Sequence, residues 1–469
     1  MLTIGIDTKK KEPIYEQIYK YIRKEIKKGA LTCGTKLPSS RKLAEHLDVS
    51  RNTIDLAYSQ LLSEGYIESK PKRGYFVAEV DEILDFADEI PEEDDVIEKK
   101  ELLPYEFAPS GVDMAHFPYN TWRRLMREVL MGDNSEIFQT GNSSGDYELR
   151  DAIRIYLHQS RGVICRSSQI ILGSGMEYLI LLLAQILGTD YVVGMENPTY
   201  MQAYRVFSQL GFDVHGISMD EMGMKVDDLL KSNVQIAYVT PSHQYPTGTV
   251  MPISRRNALL KWASEKENRF IIEDDYDSEF RYHGKPIPAL QGNDKNGKVI
   301  YMGTFSKAIA PAIRVGYMVL PKELLAIYQE KISFYSCTVS RIDQAILSEF
   351  IRGGHFERHL NRMRALYKGK NQYLMQQLKL FGDDAVISGA SAGLHVLVEF
   401  KDLADHELFE KTLYEKGVKI QRISSYYITG KPEKECYILG FARLKESQIK
   451  QGILIIKDIY DKFRIRKEE

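Results

Sequence analysis

Cysteine is scarce in this chain of 469 residues, and neither sign of charge is in excess. The four cysteines, Cys33, Cys165, Cys337 and Cys436, lie far apart and lack the close spacing of metal-binding motifs. Isolated cysteines of this kind are typical of reduced thiols, so we expect a cytoplasmic protein without a metal site. The formal net charge is only −2, which by itself indicates no charged partner.

Long apolar runs are also missing. The stretch 178–187 is apolar but too short to cross a bilayer, so we interpret it as a buried helix. The first residues do not have the pattern of a signal peptide, and we expect no membrane partner. The chain is, however, long enough for two or more domains.

Charge is distributed unevenly along the chain. Residues 1–80 carry 15 Lys/Arg against 10 Asp/Glu, whereas residues 81–100 carry 10 acidic and 2 basic residues. This pattern predicts a basic module at 1–80 that meets a polyanion. The acidic segment 81–104, with two prolines and few aromatic residues, is predicted to be a flexible linker.

The basic module has the punctuation of a small helical domain. A helix is predicted from Pro13 to Gly29, a second from Ser39 or Ser40, and a third from Ser50, which is a good N-cap. Two short strand-like runs, 66–68 and 75–77, flank a basic tip.

Helix, turn, helix and hairpin suit duplex DNA. Arg51, Asn52 and Thr53 begin the third helix, where side chains can bond base edges in a major groove. Arg41 and the tip residues can contact phosphate or a minor groove. A small protein–protein module is the alternative.

The segment LPSSRKLAEHLDVSRNTIDLAYSQLLSEGYIESKPKRGYFV (37–77) closely resembles the winged helix-turn-helix of GntR-type regulators. The resemblance implies an operator-binding domain. The DNA contacts that we expect come from Arg41, Ser50, Arg51, Asn52, Thr53, Lys72, Arg73 and Gly74.

Residues 105–469 alternate short β-rich runs with longer helical periods. This alternation predicts an α/β domain with a mostly parallel sheet, whose ligands bind at the carboxyl ends of the strands. The predicted strands are 169–172, 191–193, 234–240, 270–273, 299–302 and 316–320, and the predicted helices include 177–187, 201–210 and 255–266.

A single lysine stands out in GTFSKAIAPAIRVGY (303–317). Lys307 is a candidate amine nucleophile, because a lysine shielded from water and near a cation favours its neutral form and can condense with an aldehyde. Thr304, Ser306 and Arg314 are candidate donors to a phosphate beside it. An aldehyde cofactor that carries a phosphate is pyridoxal 5'-phosphate, although a surface lysine on a loop is the alternative.

Two further segments fit such a cofactor. Gly173–Met176 lies between a predicted strand and a helix, where backbone N–H groups attract phosphate. Acidic residues cluster at 273–277, and buried carboxylates of this density need solvent or a cationic partner.

Residues 140–317 closely resemble fold-type-I pyridoxal phosphate enzymes of the aspartate aminotransferase kind. The resemblance is carried by GDYELRDAIRIYLHQSRGV, ENPTY, TPSHQYPTGTVMP and EDDYDSEFRY, together with the Lys307 segment. The whole chain resembles MocR/GabR-type regulators, in which such a domain follows a GntR-type head.

The resemblance implies a role for each matching residue. Lys307 forms the Schiff base, Asp274 pairs with the pyridinium nitrogen, and Tyr276 bonds the ring hydroxyl oxygen. Tyr200 lines the ring or effector pocket. Gly175, Met176, Ser306 and Arg314 hold the phosphate.

Some positions depart from the aminotransferase pattern. Tyr245 replaces the asparagine expected before Pro-Thr-Gly, with His243 or Gln244 as possible substitutes. The arginine expected for a substrate carboxylate is absent from its place before Leu439, which leaves Arg205, Arg422 and Arg443 as candidates, each of which can equally be a surface residue.

His355 and His359 lie four residues apart on a predicted helix, a spacing that can bind metal. No third ligand is evident in the sequence. We therefore interpret the two histidines as a surface or interface pair.

Two functions fit these observations. The first is a DNA-binding regulator that senses an amine, an amino acid or the B6 vitamer itself through Lys307. The second is a genuine aminotransferase with an accessory head. The DNA-binding head, residues 1–80, and the missing arginine favour the regulator. Slow residual transamination is left open. We also expect a homodimer, whose heads can be swapped between subunits.

Overall fold

The computed structural model describes residues 4–7, 12–79, 103–131, 135–282, 284 and 286–465. These residues form two compact units, one within Met1–Lys99 and one within Lys100–Glu469. The predicted linker 81–104 lies outside the described residues except for Leu103 and Pro104, so its boundaries stay a prediction.

The first unit contains three helices and an antiparallel hairpin, as the sequence predicts. The elements are α1 (Ile14–Lys27), α2 (Ser40–Leu47), α3 (Arg51–Ser63), β1 (Ile67–Lys70) and β2 (Gly74–Val77). One face of α1 is buried through Ile18, Ile22 and Ile26, which recur every fourth residue. Ser39 caps α2 and Ser50 caps α3 through their side-chain oxygens.

A sharp turn separates α2 from α3. Asp48 adopts a left-handed conformation with φ 52°, which ends α2 and lets the chain turn at once into α3. The hydroxyl of Tyr58 on α3 donates to the Pro38 carbonyl at 2.9 Å, and its ring packs edge-on against Tyr75 on β2. These contacts attach both the loop before α2 and the hairpin to α3.

The second unit is a larger α/β domain. Its helices are α4 (Tyr119–Leu130), α5 (Tyr147–Arg161), α6 (Met176–Leu187), α7 (Met201–Gln209), α8 (Val226–Lys231), α9 (Ile253–Ser264), α10 (Lys322–Lys331), α11 (Arg341–Arg352), α12 (His355–Leu378), α13 (His406–Glu415) and α14 (Glu446–Phe463). Its strands are β3 (Tyr105–Glu106), β4 (Ile170–Gly173), β5 (Val192–Asn197), β6 (Asp213–Asp220), β7 (Gly223–Met224), β8 (Ile236–Val239), β9 (Phe270–Asp275), β10 (Val299–Thr304), β11 (Gly316–Val319), β12 (Ala385–Ser388), β13 (His395–Phe400), β14 (Val418–Lys419), β15 (Gln421–Arg422) and β16 (Tyr437–Gly440).

The main sheet has eight strands in the order β4-β11-β10-β9-β8-β5-β6-β7. Only β11 and β7 run against the others, which confirms the predicted mostly parallel sheet. All six strands predicted for this domain lie in it. The sequence analysis missed β6 and the two-residue strand β7. The strand β6, near the sheet edge, is half exposed and mixes polar with apolar residues.

A second, antiparallel sheet has the order β12-β13-β16-β15. It shares a large apolar core with α12, α13 and α14, in which Phe381, Phe400 and Tyr437 are buried. The sequence analysis did not predict these strands.

The parallel topology brings several loops together at one edge of the main sheet. The chain leaves β4, β5, β8, β9 and β10 at this edge, and these strands are largely buried on both faces by apolar side chains. Short polar loops follow them. A ligand is expected at this edge.

All four cysteines are free thiols. None of the helices that the structure describes combines the length and the apolar composition that a membrane crossing requires.

Candidate functional site

Lys307 lies on the loop after β10 and lines a cavity of about 210 Å³. Its Nζ is 4.3 Å from the centre of the Tyr276 ring and 5.6 Å from that of Tyr245. Burial lowers the pKa of Lys307, which favours the neutral, nucleophilic amine. The neighbouring charges act in the opposite direction to the one predicted, because they come from the carboxylates of Asp277 and Asp274 rather than from a cation.

Asp274, near the end of β9, faces the same cavity with half of its carboxylate unused. Its Oδ2 accepts a hydrogen bond from the Tyr238 hydroxyl, whereas its Oδ1 is buried and has no partner among the described residues. Burial and, to a smaller extent, Asp275 raise the pKa of Asp274 to about 7, against the lowering effects of Tyr238 and Lys307. A buried acceptor without a donor is costly, so this oxygen fits a ligand that brings an N–H.

Tyr276 belongs to a buried hydrogen-bonded group. The Nδ1 of His243 lies 2.9 Å from the Tyr276 hydroxyl and 3.1 Å from each carboxylate oxygen of Asp277. Burial alone would raise the pKa of Asp277, but the adjacent His243 lowers it below its usual value. Because an ionised carboxylate only accepts, Nδ1 carries the hydrogen, and the Tyr276 hydroxyl proton remains available for a ligand in the cavity.

The phosphate-binding candidates surround the start of α6. Gly175 has φ 100°, and a Cβ at this position would lie 2.2 Å from Nη2 of Arg314. Glycine therefore lets Arg314 pack against the backbone where the first N–H groups of α6 lack helical partners. The Ser306 hydroxyl, which accepts from Thr304 at 2.9 Å, lines the cavity beside Arg314.

Arg314 already has an anionic neighbour. Its Nη2 donates to Glu177 Oε2 at 2.7 Å and to the Ser174 carbonyl at 3.3 Å. The sequence analysis did not single out Glu177, since one acid in the first turn of a helix gives no specific signal. The sequence analysis also did not single out Ser110, Thr240 and Pro311, which line the cavity as well.

Tyr245 forms an aromatic wall where the aminotransferase pattern has asparagine. Its ring packs edge-on against Tyr200, Tyr276 and Tyr426, at centroid distances of 5.7, 5.4 and 5.4 Å. Gln244 does not substitute for the asparagine. Its amide nitrogen donates to the carbonyls of Pro198 and Tyr245, and its oxygen accepts from the backbone of the same loop.

The predicted cofactor-binding residues therefore converge. Lys307, Asp274, Tyr276, Tyr200, Met176, Ser306 and Arg314 all line this cavity, and Gly175 lies at its edge. The donors and acceptors match a flat heteroaromatic ring with an N–H at one end and a phosphate at the other. Their individual roles stay predictions.

The three arginines considered for a carboxylate lie elsewhere and do not line this cavity. Arg205 is exposed on α7. Arg422 pairs with Glu410 at 2.9 Å, and Arg443 pairs with Glu106 at 3.1 Å. Their assignment to an effector likewise stays a prediction.

The first unit exposes a set of basic and polar side chains. Arg41, Arg51, Asn52, Lys72 and Arg73 are exposed, and Thr53 is half exposed. Lys72 and Gly74 have positive φ values of 59° and 101°, which form the tight hairpin tip.

The hydroxyl of Ser50 has a structural use. Its oxygen caps α3 by accepting from the backbone N–H of Thr53 at 3.2 Å, and it lies 2.8 Å from the Thr53 hydroxyl. Arg51 and Arg41 each make one exposed pair with an acid four residues further on, an interaction weak enough for DNA phosphate to replace.

Two family models match the chain. Residues 14–77 match the model of bacterial regulatory proteins of the gntR family, and residues 112–455 match that of aminotransferase class I and II. The chain is also 30% identical to the probable rhizopine catabolism regulatory protein MocR of Rhizobium meliloti, over 96% of this chain and 94% of that protein. This chain belongs to the MocR-type regulators of the GntR family.

Other relatives agree with this assignment. The MocR-type chain is 40% identical to the uncharacterized HTH-type transcriptional regulator YdeL of Bacillus subtilis, over 95% of this chain and 96% of YdeL. Its structure is similar to that of a Pyrococcus horikoshii kynurenine aminotransferase solved with PMP. The TM-score is 0.69 at 26% identity, over 77% of this chain and 92% of the aminotransferase. The large domain is thus a fold-type-I aminotransferase domain, which indicates pyridoxal phosphate as its cofactor, as the sequence predicts.

Proposed function

We propose that this MocR-type regulator binds an operator through its head and senses an amine, an amino acid or the B6 vitamer itself at Lys307. The proposal rests most directly on one observation. A buried carboxylate oxygen of Asp274 has no donor within the part of the chain that the structure describes, in a cavity that also contains a lysine whose neutral form is favoured.

Pyridoxal phosphate, when bound, supplies an aldehyde that reacts with amines and a ring that withdraws electrons from them. The residues of the chain bind and orient it. Asp274 accepts from the ring N–H, Tyr276 donates to the ring oxygen, and Arg314 and Ser306 bind the phosphate with the first turn of α6. Lys307 would supply the amine that holds the cofactor's aldehyde group, at the place where an effector amine would compete for it.

The head supplies the link to transcription. Arg51, Asn52 and Thr53 at the start of α3 read base edges in the major groove, and Arg41, Lys72 and Arg73 contact the backbone or the minor groove. An effector regulates only if it binds two arrangements of the protein with unequal affinity. We propose a homodimer, whose two heads suit two operator half-sites. A sedimentation experiment that finds a cofactor-loaded monomer would contradict this assembly.

The test replaces Lys307 with alanine. The variant should lose the visible absorbance of the covalently held cofactor, and borohydride reduction followed by mass spectrometry should no longer find the cofactor mass on this segment. Lys322→Ala, on the exposed start of α10, is the matched control and should behave as wild type. A cofactor mass that remains at another lysine would refute the assignment.

A genuine aminotransferase remains the second candidate, because the same cavity and the likeness to a kynurenine aminotransferase support it. Incubating the protein with a panel of amino acids and amines separates the two functions. A spectral change without ketoacid release supports sensing, whereas repeated release of ketoacid supports the enzyme.

A further inference from the structure

A second cavity lies between the start of α4, the end of α11 and the start of α12. It measures about 680 Å³ and shares no lining residue with the Lys307 cavity. Its wall contains Arg123, Arg358, Arg362, His355 and His359, and none of the described residues that line it is an aspartate or glutamate. The three arginines therefore make the wall electropositive.

Two arginines contact the ring nitrogens of His355, which cannot accept a hydrogen bond from both of them. Its Nε2 lies 3.0 Å from Nη2 of Arg124, and its Nδ1 lies 2.8 Å from Nη2 of Arg358. A neutral imidazole accepts a hydrogen bond at one nitrogen only, and a protonated one accepts at neither. At least one guanidinium N–H group therefore points at a ring nitrogen that cannot accept it.

Arg124 also pairs with Glu128 at 3.7 Å, whereas the other contacts of Arg358 and Arg362 are to uncharged groups. Arg358 also donates to the Gly353 carbonyl at 2.9 Å, and Arg362 contacts the His116 carbonyl and His359 Nδ1, each at 3.2 Å. Within the described parts of the chain, neither arginine forms an ion pair with a carboxylate. Burial and then the adjacent Arg358 and Arg124 lower the pKa of His355, which favours the neutral imidazole, and this ring has no negative charge with which to balance the arginines.

We propose that this cavity binds a phosphate-bearing anion, held by Arg358 and Arg362. A guanidinium presents several N–H donors in a planar fork that matches two phosphate oxygens, and it binds them more strongly than it binds neutral acceptors. The first turn of α12, a helix of 24 residues, adds backbone N–H groups that favour negative charge. The anion accepts the N–H groups that His355 cannot.

The first experiment titrates the full-length, cofactor-loaded protein with pyrophosphate by calorimetry at low salt. Loading fills the phosphate site beside Arg314, so a second binding event reports on the new cavity. Arg358→Gln and Arg362→Gln should each weaken pyrophosphate binding about tenfold or more, because each removes charge-assisted hydrogen bonds. Arg127→Gln, an exposed residue of α4 outside the cavity wall, is the matched control and should bind like wild type.

The outcome that would overturn the proposal is equal pyrophosphate affinity in all four proteins, or none in the wild type. Thermal unfolding of each variant confirms that it is folded, which is expected because both arginines are exposed. A second titration with a short DNA duplex identifies the source of the phosphate. If Arg358→Gln weakens the binding of both pyrophosphate and DNA, the cavity binds the DNA backbone. If it weakens the binding of pyrophosphate alone, the cavity binds a small phosphorylated molecule.

Discussion

Replacing Asp274 with asparagine should have opposite effects on the cofactor-free and cofactor-loaded protein. Without the cofactor, Asp274 is a buried carboxyl group with one oxygen that no described residue contacts by a hydrogen bond, and its pKa is raised from 3.8 to about 7. Asparagine keeps an oxygen for the Tyr238 hydroxyl and cannot ionise. With the cofactor bound, the wild-type carboxylate gains the ring N–H as a donor, and asparagine loses that charge-assisted bond.

The magnitude follows from the pKa shift. Because the folded-state pKa lies above the unfolded one, the wild-type protein loses stability as pH rises from about 4 and has lost the full amount above about pH 7. A shift of roughly three units corresponds to about 4 kcal/mol. Between pH 5.5 and pH 8.5, the free energy of unfolding of the cofactor-free wild type should fall by about 2 kcal/mol because of Asp274. Asp274→Asn should abolish this part of the pH dependence.

Urea unfolding of both forms at pH 5.5 and pH 8.5 measures these free energies. The cofactor-free variant should gain on wild type as pH rises, and the cofactor-loaded variant should be the less stable protein at both values. Asp190→Asn, an exposed aspartate, is the control and should change neither. If the cofactor-free variant shows the same pH dependence as wild type, the placement of Asp274 in a buried environment that raises its pKa is wrong.

Two further substitutions test the phosphate site and the DNA surface. Gly175→Ala should weaken cofactor binding by tenfold or more, because the new Cβ would lie 2.2 Å from Arg314 Nη2. The control is Gly188→Ala, at φ 81° with open space around its Cβ position. Equal cofactor affinity of the two variants in equilibrium dialysis would contradict the predicted phosphate site. Arg51→Ala should weaken operator binding by about 1–3 kcal/mol in a gel-shift titration, without altering cofactor uptake. Lys24→Ala on α1 is the control and should bind the operator like wild type. Unchanged operator binding by Arg51→Ala would show that base recognition lies away from the start of α3.

Much of the fold could be predicted because its signals are local. The isoleucines of α1, the caps at Ser39 and Ser50, and the apolar runs of the central strands each depend on residues close together in sequence. The strands of the second sheet and β6 could not be predicted in this way. Their burial depends on partners far along the chain, such as α12 and α14, and β6 near the edge of its sheet has no uniform apolar pattern.

The candidate site was predictable where a motif carries it. Lys307, Asp274 and Tyr276 were named from their segments, and the structure brings them to one cavity. The aromatic wall of Tyr245 and the acidic partner of Arg314 were not predicted, because a tyrosine or a glutamate alone gives no sign of what lies opposite it.

The sequence by itself determined that a basic DNA-binding domain and an aminotransferase domain share this chain, because each is encoded by one contiguous segment with its own motifs. It also named the lysine and the aspartate. Only the tertiary structure decided that one oxygen of Asp274 has no donor among the described residues, and that Arg358 faces the imidazole of His355 instead of a carboxylate. The reason is physical: hydrogen-bond satisfaction and burial depend on every neighbour in space, and most of those neighbours are distant in sequence.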